Sequence, residues 1–192
     1  MTESRTEYIN EIIEGFTELS IRPSVHNVLQ KRDNGQWELT LTRTTFANFG
    51  PFAGTVTFAP GTYQGAKISG LAGSVIRMDR VTMTDVIIDT EGLIFWEGDS
   101  CKRADIKGLD VELYLNTSFE RLRVHTRHGC INMTEPSLEV NIYTVSGNVG
   151  IIANVEFVTV NTLSGNVRLR GQGRARLMSG TGTVEYDGYK VA

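Results

Sequence analysis

His125-Thr126-Arg127-His128-Gly129-Cys130 places two imidazoles and a thiol close together, the donor types that a zinc or other transition-metal site takes. On extended chain, successive side chains point to opposite faces. His125 and His128 are an odd number of positions apart, so their rings diverge. Eighteen residues on, the matching positions carry Tyr143 and Ser146, which add no donor. A structural zinc needs four convergent ligands, so neither a metal nor another cofactor is expected. Asp85, Asp89, Asp99, Asp105 and Asp110 are the second candidate set, since stacked carboxylates on one face cleave glycans by acid–base chemistry. Only Asp110 falls near a corner shared with His128. Solvated strand and turn carboxylates are therefore expected, with a glycan-cleaving β-helix enzyme as the alternative. No nucleophile elbow, phosphate-binding loop or dinucleotide fingerprint occurs. The chain is not expected to be an enzyme.

The element that carries the histidine cluster recurs. Leu122-Arg123-Val124-His125-Thr126, Val140-Asn141-Ile142-Tyr143-Thr144 and Val158-Thr159-Val160-Asn161-Thr162 align without a gap. Gly129, Gly147 and Gly165 follow each at the same offset, and Ile131, Val149 and Val167 come next. Apolar and polar positions alternate with period two, as on half-buried strands. A repeat of this length implies stacked coils whose apolar rows merge into one core. The expected fold is all-β, a single-domain right-handed β-solenoid of about 18 residues per coil. Gly129, Gly147 and Gly165 are its expected corners. Asn148 and Asn166 follow two of them and should stack, each bonding the next corner.

Upstream the frame loosens. Ala104, Ile106, Leu113 and Leu115 fit the inward rows of the preceding coil, and Val86, Ile88 and Phe95 those of the coil before. Val75, Ile76, Met78, Val81 and Met83 still read as strand, but at no fixed spacing. Phe46, Phe49, Phe52 and Phe58 read as an internal aromatic ladder. Downstream, Gly182 falls one residue short of the frame, which points to a modified last coil.

Residues 1–35 are expected to form an N-terminal helical cap or arm, ahead of a solenoid over 36–192. A helix is predicted over 2–19, capped by Thr2, with Ile9, Ile12, Ile13 and Phe16 in one stripe and Glu7, Glu11, Glu14 and Glu18 on other faces. The stripe either covers the open end of the solenoid or packs on a neighbouring subunit as an oligomer contact. Arg22-Pro23-Ser24 ends this helix, and Ser24 caps a short second one running to Lys31. Asp33-Asn34-Gly35 is a turn signal, after which Trp37, Leu39 and Leu41 open the β region.

The chain has 192 residues, 20 of them glycine and 4 proline, with a net charge of −3. This suits a turn-rich β domain with a sizeable core and gives no nucleic-acid footprint. Arg168, Arg170, Arg174 and Arg176 read as a solvated basic face. Cys101 and Cys130 are out of register, so no disulfide is expected, and a reducing compartment fits. Met1–Asn10 is acidic and polar, unlike a secretory leader, and no apolar run approaches membrane-spanning length. Synthesis in the cytoplasm without a signal peptide is the expectation, the chain staying there unless it leaves by lysis or inside a virion.

Thr144-Val145-Ser146-Gly147-Asn148-Val149, Thr162-Leu163-Ser164-Gly165-Asn166-Val167 and Ser179-Gly180-Thr181-Gly182-Thr183-Val184 resemble the corners of bacterial adhesin-type β-solenoid repeat domains. The resemblance covers about residues 113–186 and implies the solenoid fold. Many members of that family carry export or membrane segments. The functional expectation is a non-enzymatic structural or interaction protein with protein partners, self-associating or docked on a scaffold. A phage virion decoration or tail component is the leading form. An adhesin-like surface module is the alternative, with a glycan as a further candidate ligand; neither nucleic acid nor membrane insertion is expected.

Overall fold

The computed structural model describes residues 18–23, 28–31, 33, 36–41, 49–63 and 66–191. All regular elements among them are strands, and the chain forms a β-solenoid of about 8 turns with about 18 residues per turn. The strands are β1 (Glu18–Pro23), β2 (Val28–Lys31), β3 (Trp37–Leu41), β4 (Phe49–Phe52), β5 (Thr55–Phe58) and β6 (Gly61–Tyr63). They continue as β7 (Ala66–Asp79), β8 (Val81–Met133), β9 (Ser137–Ile152), β10 (Val155–Ser164), β11 (Val167–Thr181) and β12 (Val184–Val191). One sheet runs β12-β11-β10-β9-β8-β7-β5-β1-β3-β2, with β4 paired to β7 and β6 to β8. Every pairing between these strands is parallel except β2 with β3.

The frame read from the repeats is the pairing frame. Leu122 pairs with Val140, and Val140 with Val158. Val124, Ile142 and Val160 form the next inward row, all fully buried. Past the corner, Ile131, Val149 and Val167 stack, then Met133, Ile151 and Leu169. Each coil also has a third short side that the repeat alignment does not reveal. Ser137, Val155 and Gly173 pair along it. Tyr63 and Met83 pair on the same side nearer the N-terminal end. Burying these rows together supplies the core that no coil has alone, at about 25 cal/mol per Å² of apolar surface removed from water.

Upstream, the spacing is 20 where β5 meets β7 and where β7 first meets β8, as Thr55↔Val75 and Ala66↔Val86 show. It returns to 18 at Val75↔Leu93, after a register shift between Gly70 and Ser74. Leu71 and Gly73 lie in that excursion, Leu71 exposed and Gly73 at φ +78°. Looping out these residues keeps the inward rows aligned, which is why no fixed period survives in the sequence there. Phe95 is a correction of the same kind: Ile94 and Trp96 are buried, and Phe95 stands on the outer side. Within the proposed aromatic ladder Phe52 and Phe58 are buried, Phe46 lies outside the described residues, and Phe49 is placed in β4 by its backbone.

At the N-terminal end the expected helices give way to strands. Glu18 and Leu19, the last two positions of the first, begin β1, which lies between β3 and β5. The remainder, with Ile9, Ile12, Ile13 and Phe16, lies outside the described residues. The second helix, to Lys31, is replaced at 28–31 by β2, which turns back antiparallel on β3 with Lys31 opposite Trp37. Asp33 sits in the turn between them. Buried Glu38 on β3 pairs with Arg22 on β1 at 2.7 Å. At the other end Tyr189 folds inward. Its hydroxyl donates to the Ala153 carbonyl at 2.5 Å and accepts from Val155 N–H at 3.2 Å, reaching back two coils.

Candidate interaction face

The corner between the two main sides is built by threonine. Thr126, Thr144 and Thr162 are buried, and their Oγ1 atoms donate to the carbonyls of His128, Ser146 and Ser164 at 2.5, 3.2 and 3.0 Å. Ser179 does the same to Thr181 at 3.3 Å. Such i→i+2 bonds tighten the chain locally. They leave the intervening residues, Arg127, Val145 and Leu163, exposed at the rim.

The glycines come next. Gly129, Gly147 and Gly165 have φ of +152°, +154° and +137°, outside what L side chains readily adopt. A Cβ on Gly147 would collide with the Gly129 carbonyl oxygen, and one on Gly165 with that of Gly147. The corner backbones therefore stack with no room for a side chain. Beside them runs the asparagine ladder. Asn148 Oδ1 accepts from Asn166 N–H at 3.1 Å, and Asn166 Oδ1 accepts from the Thr183 amide at 3.0 Å and hydroxyl at 2.7 Å.

Between the rim and the adjoining flat side lies a concavity of about 1030 Å³ running along the solenoid. Its floor is the threonine row and partly buried Leu177. One wall carries Leu109, Arg127, Val145 and Leu163, the other His125, Tyr143, Asn161 and Met178. Leu163 is 66%, Met178 56% and Leu109 52% exposed, so large apolar side chains face water over several consecutive coils. This surface was legible in part: the outward positions of the repeats are polar in the first coil and apolar in the next two at the rim, as Arg127, Val145 and Leu163 show.

His125 stacks flat on Tyr143, ring centroids 4.8 Å apart at 14°. His128 Nδ1 lies 2.5 Å from Ser146 Oγ, and half-buried Cys130 is approached by Asn132 Nδ2 at 3.5 Å. The three side chains thus have separate neighbours. Among the described residues no group of three His, Cys, Asp or Glu could hold a metal ion. The aspartates disperse likewise. Asp85 accepts from Arg103 Nε at 2.5 Å, and that hydrogen bond, with the guanidinium charge, holds its carboxyl below the usual range. Asp105 lies 3.5 Å from Lys107. Arg168 pairs with Glu185 at 2.9 Å, and Arg174 lies over the Phe157 ring at 5.0 Å. Exposed ion pairs of this kind add little to stability, because water and salt screen them.

A second concavity, about 620 Å³, lies on another side. There Phe95 and Tyr114 stack at 5.1 Å, Arg77 covers Phe95 at 4.8 Å, and Asn116 and Asn132 lie alongside. No described helix is long and apolar enough to cross a membrane. Comparison with protein-family models, with curated proteins and with solved structures returns no match.

Proposed function

We propose that this chain is a non-enzymatic structural and interaction protein, a subunit of a larger assembly that binds protein partners, other copies of itself among them. The apolar strip of Leu109, Tyr143, Val145, Leu163 and Met178 carries this reading. Exposed apolar side chains gathered along one concave strip, on a rigid scaffold, mark a docking surface. A virion decoration or tail component fits this build by analogy, as does a right-handed coil. Sedimentation of the intact protein at micromolar concentration tests it. The expected result is a species heavier than the 21.2 kDa chain; a strict monomer overturns self-association.

A second reading, an adhesin-like surface module, draws on the other concavity. Its aromatic pair and amide side chains are groups that contact sugars. Retention on immobilised glycans, lost on Tyr114→Ala, would favour it.

A further inference from the structure

We infer that the apolar groove of one copy receives the corner ridge of Glu120, Leu138 and Glu156 on a second copy; this rests on the self-association just proposed. Arg121, Glu139 and Phe157 pair in turn on successive coils. Glu120, Leu138 and Glu156 each stand one residue ahead of them, at the corner where the flat side begins. All three are exposed, Leu138 at 54%. The ridge is thus a leucine between two carboxylates, set along the solenoid axis.

The groove matches it in charge. Its apolar walls end at one coil in His125 and Arg127, both exposed. Among the described residues Arg127, Glu120 and Glu156 make no ion pair. A carboxylate brought to Arg127 therefore meets a guanidinium with no competing acid. Opposed charges across a contact steer the encounter and fix its register.

The two match in step as well. Arg127, Val145 and Leu163 follow one another on three coils, as Glu120, Leu138 and Glu156 do. Each set spans about 9.6 Å at about 4.8 Å per coil. A second copy therefore repeats at the spacing of the groove, with no adjustment of either backbone. With the two axes pointing the same way, Glu120 meets Arg127, Leu138 packs against Val145 and Tyr143, and half-exposed Phe157 comes level with Leu163. The opposite direction would set Arg121 at that apolar end instead. Ridge and groove lie on different corners, so the contact is heterologous. It leaves a free ridge on one copy and a free groove on the other, and assembly continues past the dimer.

The experiment uses full-length variants and sedimentation. Leu138→Asp spoils the ridge and leaves the groove; Leu163→Asp spoils the groove and leaves the ridge. Both leucines are more than half exposed, so an unchanged thermal midpoint confirms that each variant is folded. Each change should raise the dissociation constant on the order of thirtyfold or more, giving a monomer where the parent assembles. An equimolar mixture should form a one-to-one dimer and stop there, since a single ridge and a single groove remain intact. Arg127→Glu and Glu120→Arg should each weaken assembly, and the chain carrying both should regain the parent mass. If both leucine variants keep the parent mass, the ridge–groove contact is wrong and assembly through another surface stands. If one of them alone is monomeric, its surface has a different partner and the contact is again wrong. A mixture that does not dimerise overturns the contact, and a double charge variant that does not recover overturns the pairing of Glu120 with Arg127. A monomeric parent overturns both the contact and the self-association.

Discussion

Gly147→Ala and Gly150→Ala place the same methyl group three residues apart on one coil, with opposite expected results. At Gly147 the backbone has φ +154°, and the new Cβ would meet the Gly129 carbonyl oxygen, a backbone atom held by its own coil. The conformational strain costs about 1–3 kcal/mol. Opening the corner also weakens the bond from Asn166 N–H to Asn148 Oδ1 at 3.1 Å and that from Val149 N–H to the Asn166 carbonyl at 2.9 Å, each about 1 kcal/mol. The sum is about 3–5 kcal/mol. At Gly150 the nearest neighbours would be Asn132 Oδ1 at 3.2 Å, the end of a flexible side chain, and the Ile131 carbonyl at 3.9 Å. That alanine gains about 0.4–1 kcal/mol by restricting the unfolded chain. For a domain of this size each kcal/mol moves the midpoint by about 2–4 °C, so Gly147→Ala should melt about 6–20 °C below the parent. Gly150→Ala should melt at or slightly above the parent. Far-ultraviolet circular dichroism during heating measures both. If the two variants melt together, the close stacking of corner backbones does not hold.

Ile142→Asp buries a carboxylate between Val124 and Val160 at a fully enclosed position, and should unfold several coils, seen as lost amide protection across β9 and β10. A folded variant with parental protection would refute the register. Burial pushes the Cys101 thiol up to about 12 from an ordinary value of 9.0. The folded state then holds its proton to higher pH than the unfolded chain. Its contribution is intact below about pH 9 and lost between about pH 9 and 12, a slope that Cys101→Ala should remove in denaturant titrations. In the native protein Cys130 should alkylate first, with Cys101 following only on unfolding; equal rates would contradict the burial.

The C-terminal coils were legible because the same residue types return at each structural position: threonine for the inward bend, glycine for the crowded corner, asparagine for the ladder. Their spacing is the pairing offset itself. The third side is not legible because Ser137, Val155 and Gly173 share no residue type, and a partner there, the Tyr189 hydroxyl, comes from outside the repeat. Phe95 could not be oriented from sequence, since Leu93-Ile94-Phe95-Trp96 is apolar throughout and alternation gives no answer. Val28–Lys31 follows a local helix-start signal at Ser24, although Asp33-Asn34-Gly35 calls for a strand before the turn as well as after it. Pairing with β3 outweighs the local helical pattern. The groove was the least legible part. It arises from outward residues on separate coils, and only the fold shows that Tyr143 and Met178 line one wall.

The constant offset from Arg121↔Glu139 through Ser146↔Ser164 approaches that of a ruled scale. In-frame loss of the codons for residues 140–157 would join Glu139 to Val158 and give Val158 the partner that Val140 has now. Every inward residue would stay inward and every corner glycine would remain over a corner glycine, while the molecule shortened by about 4.8 Å. Duplication of the same stretch would lengthen it by the same step. Length is thus a heritable variable of this architecture, adjustable in whole graduations without redesign of the core. A groove that crosses consecutive coils gains or loses one rung each time, so the dimension a partner must match is written in the number of repeats.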